Sequence, residues 1–396
     1  MQKNSSSVQN IILLGLLVRM MVAYWNGFFG PSFGAEADAY SFHLVAVDFS
    51  QNISFADFNV RHVYPYFLGI IYFLITDSLF LGSLLSCIAW FFSAQCLIKI
   101  SQTLFINPKV MYRMMLIYAF LPSAILFTSV TLRESYQLLF VNLAIYSSIM
   151  IFLKKDKRYW PLLLCAVTGA GALHGTLFVF GVFTIAATLV CLALPEGRKI
   201  PILKIMLAMP LAVLAVYYGL SFFTSATNYK LEDGVVKAVE TYQLGGLGYL
   251  GEARAFYRTS LEINGITGFI LFVPVSLLQY LFEPMPWRIT TVADVELFIE
   301  NTLRAWLLFK ALRGNWNSTV QRRAFLFILS AYAVIETTWS LGTLNWGTAV
   351  RHHIPGMGML LVIGFAYASV QPGRTWRRWF NWIRRGQLIS SSVATE

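Results

Sequence analysis

Residues 113–153 read RMMLIYAFLPSAILFTSVTLRESYQLLFVNLAIYSSIMIFL. Past Arg113, the only charges in this stretch are the adjacent Arg133 and Glu134. On each side of that pair lies an apolar run of roughly 20 residues, the length that crosses a hydrocarbon core. The stretch reads as two membrane spans joined by a tight polar turn. Leu121-Pro122-Ser123 interrupts the first span, because proline lacks an N–H and its ring clashes with the preceding turn. The rest of the chain repeats the theme. Of its 396 residues, 57% are hydrophobic, 16% aromatic and 12% charged, with a mean hydropathy of +0.62. A soluble domain carries roughly a quarter charged residues, so that class is excluded. Disorder is excluded by the apolar content. Fibrous and disulfide-scaffold classes fail with 27 Gly, 13 Pro and 4 Cys. Cys87, Cys96, Cys165 and Cys191 each sit in an apolar run, where cysteine behaves as a small hydrophobe. Neither a disulfide nor a metal site is expected from them.

The net charge of +11 does not indicate nucleic acid, because the bases are clustered between apolar runs as the positive-inside rule requires. The clusters are Lys99/Lys109/Arg113, Lys154/Lys155/Lys157/Arg158, Arg198/Lys199/Lys204, Lys310/Arg313/Arg322/Arg323 and Arg374/Arg377/Arg378/Arg384/Arg385. Placing all of them in the cytoplasm fixes the parity of crossings. Clear spans are 10–29, 78–98, 113–132, 135–153, 159–173, 176–194, 202–222, 293–311, 324–342 and 353–370. Two runs are ambiguous: Tyr64–Thr76, which is short, and Ile266–Phe282, which precedes Glu283-Pro-Met-Pro286. Counting neither as a crossing puts every basic cluster, and both termini, inside. The first run, Ile11 to Phe29, lacks a basic leader and a small-residue cleavage site, so it reads as a retained span.

The expected fold class is therefore all-α, a polytopic membrane helix bundle of about ten spans plus two half-inserted outer-face helices. Residues 1–370 form one integral membrane domain with outer loops 30–77 and 223–262. Residues 371–396 form a basic, aromatic cytoplasmic tail that anchors on anionic lipid. Backbone that stops partway through a bilayer needs protein or water to cover it, so an outer cavity is expected.

The polar residues of the outer face are the functional candidates. Glu36, Asp38 and His43 follow the first span. Asp38 has two readings: a cap for a helix starting near Ala39, or a carboxylate general base at the bilayer surface. Arg61, His62 and Tyr64 lead into the first half-inserted run and read as either a phosphate site or an interfacial anchor. Arg133 and Glu134 are a structural ion pair or, as adjacent residues that diverge on a helix, groups with separate partners. His174 occupies the next outer turn. The last outer turn, 342–353, offers Asn345, Arg351, His352 and His353. Its adjacent histidines diverge and lack acids at ligand spacing, so anion binding by Arg351 is preferred to a metal. Glu300 and Arg304 stand four apart and can pair. With Glu336 and Arg19 they read as a structural network inside the bilayer.

The acidic site after span one (Glu36, Asp38, Tyr40) resembles the membrane glycosyltransferases of the GT-C superfamily. The Tyr64-Pro65-Tyr66 interfacial helix and the second polar site after a Pro-Ser break (Pro122, Ser123, Arg133, Glu134) add to the likeness. It is clearest over residues 10–153. The nearest types are the protein-mannosyltransferase-like and aminoarabinose-transferase-like bacterial enzymes. The run from Asn345 to His352 is similar to proteins of bacterial polysaccharide gene clusters, some of them polymerases. The resemblance implies an inverting enzyme of the bacterial cytoplasmic membrane. It would take a sugar from a polyprenyl-phosphate donor on the outer face and pass it to a glycan, lipid or protein acceptor. Asp38 would be the base, with Glu36 as its rival and Glu134 as a further carboxylate. Arg61, Arg133 or Arg351 would hold the lipid phosphate. Two departures stand out. Those families usually offer an aspartate where this chain has Arg133 and Glu134, so no metal or other cofactor is expected. The large soluble outer domain of some relatives has no counterpart here.

Other readings remain. A repeat-unit polymerase uses the same physics with two lipid-linked glycans. A lipid or glycan transporter predicts internal repeats and broken helices with midplane charges, and no repeat is visible. A membrane acyltransferase would need His174 or His353 with a partner acid.

Overall fold

The computed structural model describes residues 2–30, 34–54, 59, 62–193, 239, 255–257, 265–313 and 319–369. The run at 202–222, nearly all of the loop 223–262, the tail 371–396, Arg61 and the side chain of Glu36 lie outside the described residues. The described chain is helical, and its only strand-like feature is an isolated bridge between Phe256 and Asn345. The helices are α1 (Gln2–Phe28), α2 (Glu36–Gln51), α3 (Val63–Leu74), α4 (Leu79–Thr103), α5 (Pro108–Phe120), α6 (Pro122–Phe127) and α7 (Glu134–Lys154). They continue as α8 (Trp160–Leu173), α9 (Gly175–Ala193), α10 (Gly265–Phe282), α11 (Val292–Leu312), α12 (Thr319–Gly342), α13 (Trp346–His352) and α14 (Met357–Ser369).

Five described helices are long and apolar enough to cross a membrane: Ser7–Phe28, Leu79–Thr103, Glu134–Lys154, Gly175–Ala193 and Arg322–Gly342. The described residues are thus those of a helical protein with membrane-spanning character. Other expected spans fall on α5 with α6, on α8, on α11 and on α14, which are shorter or carry more charge. At 12 residues, α3 is about 18 Å long, well short of a hydrocarbon core of about 30 Å. The second ambiguous run is also short, an apolar helix over Thr267–Phe282.

Packing follows from residue size and proline placement. Gly15 lets α1 meet α5 closely; a Cβ there would lie 2.9 Å from that of Ala119, the small-residue contact that membrane helices use. Pro122 separates α5 from α6. Lacking an N–H, it leaves backbone groups of the broken turn without their helical partners. Two charges named from the sequence fill the gap. The Arg19 guanidinium donates to the Ala119 carbonyl at 2.7 Å and to Thr128 Oγ1 at 2.8 Å, and stacks 3.7 Å over Trp90. The Glu300 carboxylate accepts from the Ser123 N–H at 3.0 Å and from its Oγ at 2.6 Å.

A second proline acts in the same way. Pro284, after a cis Glu283-Pro284 bond, cannot donate to the Tyr280 carbonyl. His353 Nε2–H donates there instead, at 3.1 Å, while its Nδ1 lies 2.6 Å from Glu336 Oε2. The Asn301 amide donates to the Glu283 carbonyl at 2.7 Å. Arg304 donates to Asn301 Oδ1. The expected direct pairing of Glu300 with Arg304 is therefore corrected, since Glu300 serves the open helix end at Ser123. Ser123, Glu300, Arg304, Tyr332 and His353 line an internal cavity of about 30 Å³ among apolar side chains, room for about one water molecule.

Candidate functional site

Three segments far apart in the sequence meet where α2 and α7 begin and α13 ends. α2 begins at Glu36, with Ala35 at the cap and no side-chain capping bond. The capping role for Asp38 is thus corrected: the helix starts two residues before it, so its carboxylate is not used at the helix end. Asp38 points to Arg351, which donates to it from Nη1. From Nε and Nη2 the same guanidinium donates to Glu134 Oε1, at 2.9 and 2.6 Å. Glu134 opens α7 and is 3% exposed, where the helix N-terminus also favours an anion. The contacts span 313 and 217 residues of sequence. The Asp38 side chain is 51% exposed and that of Arg351 14%, so Asp38 is the face the cluster presents outward. Glu134 Oε2 is buried without a hydrogen-bond partner among the described residues.

Arg351 is held by its local fold. Asn345 caps α13, its Oδ1 accepting from the Thr348 N–H at 2.7 Å. That bond gives the expected substrate-binding Asn345 a structural task. Trp346 Nε1–H donates to Asp294 Oδ1 at 2.9 Å. Asp294 in turn completes a capping box with Thr291 at the start of α11. The Thr-x-x-Asp spacing is a readable signal that the sequence argument did not use.

Arg133 and Glu134 have separate partners. Arg133 donates to the Leu173 carbonyl at 3.2 Å and lies 5.7 Å over the Phe42 ring. His174, next in the chain, accepts from the Thr176 N–H at Nδ1. Its ring sits 4.1 Å from Trp339, and His352 stacks on Trp339 at 3.8 Å. His352 Nδ1 also meets Thr343 Oγ1 at 2.8 Å. Loss of solvent contact, with Arg133 and His352 beside it, holds His174 well below the usual histidine range. Loss of solvent contact, then Arg351 and Arg133, does the same to His352. Both rings are neutral near pH 7. Trp339 joins them into an aromatic shelf; a tryptophan within an apolar run gives no sequence signal for that.

The remaining candidates lie elsewhere. Tyr64 is buried against Phe42 and Tyr136, at 5.2 and 5.5 Å, which makes it packing between α2, α3 and α7. His62 stands before α3 with no side-chain capping bond and meets the Tyr66 ring edge-on. The expected role of Arg61, and the rivalry of Glu36 with Asp38, fall on atoms outside the described residues. Among the described residues, no group of three or more His, Cys, Asp or Glu stands close enough to hold a metal ion.

The arrangement joins a half-exposed carboxylate, a guanidinium that aims it, a buried second carboxylate and a neighbouring arginine. Those are the parts needed for a proton acceptor beside a site for negative charge. No family model, curated protein or solved structure matches the chain.

Proposed function

We propose that this protein is an inverting GT-C-like glycosyltransferase. It moves a sugar from a polyprenyl-phosphate donor to an acceptor on the outer face of a bacterial cytoplasmic membrane. In this reading it has about ten spans, with both termini inside. The observation that carries the proposal is Asp38: half exposed, making no helix-capping hydrogen bond, and held by Arg351. In the reaction the acceptor hydroxyl attacks the anomeric carbon and gives its proton to the Asp38 carboxylate. The bond from that carbon to the donor phosphate oxygen breaks, and the polyprenyl phosphate leaves with the electron pair. In this reading Arg61, Arg133 or Arg351 holds the donor phosphate and balances the charge of the leaving group. A hydrophobic donor explains why such a site lies at the edge of the membrane.

A transporter is the second reading, and it draws on the broken α5/α6 helix and the charges buried beside it. Against it, Arg19 and Glu300 already fill the broken ends. Mass spectrometry of polyprenyl-linked lipids, comparing wild type with Asp38→Asn, separates the readings. The transferase reading requires Asp38→Asn cells to accumulate polyprenyl monophosphate bearing one sugar. Polyprenyl diphosphate bearing a whole repeat unit would instead identify a polymerase. Unchanged lipids alongside a lost cellular phenotype would move transport to the front.

A further inference from the structure

The end of the bundle away from Arg351 carries a second feature. Lys99, Lys109, Arg113, Lys154, Lys155, Lys157 and Arg158 gather there. Among the described residues there, the acid Asp156 is paired with Arg158 at 2.9 Å. At that end α1 and α5 enclose an open groove of about 620 Å³, lined by Ser7, Asn10, Ile11, Leu14, Pro108, Lys109, Tyr112 and Arg113. The lining is two-sided in chemistry. Lys109 and Arg113 are exposed cations with no carboxylate among the lining residues, and Asn10 and Tyr112 add polar atoms. Leu14, 53% exposed one helical turn along α1, and Ile11 continue the groove as an apolar wall toward the bilayer.

We infer that this groove binds one anionic phospholipid of the adjoining leaflet, its phosphate between Lys109 and Arg113 and an acyl chain along Ile11 and Leu14. The volume lies within the range of small-molecule sites, and basic pockets between membrane helices favour anionic head groups. This inference does not depend on the sugar-transfer reading.

The test is native mass spectrometry of the purified full chain, released from detergent containing phosphatidylglycerol and phosphatidylcholine with matched acyl chains. Two cations at a membrane surface correspond to a preference of roughly 30-fold for the anionic lipid. The wild type is expected to retain one phosphatidylglycerol with that order of preference. Lys109→Gln/Arg113→Gln is expected to lose it, and Lys154→Gln/Lys157→Gln, which removes equal charge outside the groove, to keep it. Asn10→Asp, placing an acid in the groove at an exposed position, is expected to weaken retention without touching either cation. Equal losses in the two double variants would reduce the effect to general attraction and overturn the site. So would retention unchanged in Lys109→Gln/Arg113→Gln, or displacement of the lipid by inorganic phosphate alone.

Discussion

The two polar clusters of this bundle contain similar residues and put them to different uses. In the inner cluster, charges repair the backbone. Arg19 takes the carbonyl and Glu300 the N–H left open by the Pro122 break, and His353 takes the Tyr280 carbonyl that Pro284 cannot serve. Each acts where an unpaired peptide group in a membrane interior would cost roughly several kcal/mol. In the outer cluster, Asp38 and Glu134 meet Arg351 and make no helix-capping hydrogen bond, although Glu134 stands in the first turn of α7. A buried charge that closes a backbone gap is explained by folding alone. A half-exposed carboxylate held by a cation is not, and the functional reading therefore rests on the outer cluster.

The difference is open to attack by substitution. Arg351→Ala is expected to have the largest effect, because it strands the buried Glu134 carboxylate; breaking a buried pair costs about 3–5 kcal/mol. Detergent unfolding curves check that loss. Arg351→Lys should recover part of the stability but not the three-point geometry, since lysine offers a point charge and not a planar fork. Ser123→Ala comes next. It removes one charge-assisted hydrogen bond to Glu300, at a cost of about 1.5–3 kcal/mol, and should leave turnover per folded molecule intact. Lost turnover with unchanged stability in Ser123→Ala would erase the distinction between the clusters.

The pH dependence is an effect of comparable size and definite sign. The folded state holds His174 and His352 below the ordinary histidine value. The unfolded chain therefore binds more protons as pH drops beneath about 6.5. Their contribution is fully present above that pH and is lost as pH falls toward the folded values. Each residue contributes up to about 1.4 kcal/mol per pH unit across that window. Thermal unfolding at pH 7.5 and 5.5 should show the drop, and His174→Asn should flatten it.

Much of this architecture is legible in the sequence. The run 113–153 announces two helices and the break between them, and α5, α6 and α7 follow it. The turns between apolar runs are visible as places where polar residues collect. The partners were not. That Arg351 meets Asp38 and Glu134 depends on how helices pack over hundreds of residues, which no local pattern encodes. Asp38 looked like a cap because helix starts are only loosely fixed by sequence, and α2 begins two residues earlier. Glu300 looked like the partner of Arg304 because four-residue spacing suggests it. An open N–H at Ser123, created by a proline on another helix, is the stronger claim on a carboxylate.

The smallest expected change in stability belongs to the most decisive variant. Asp38 is half exposed, and an exposed ion pair contributes about 0–1 kcal/mol. The measurement is sugar transfer from a polyprenyl-phosphate donor by Asp38→Asn protein in proteoliposomes, read beside its unfolding temperature. The account predicts transfer abolished with the unfolding temperature nearly unchanged. Wild-type transfer by a folded Asp38→Asn protein would contradict it.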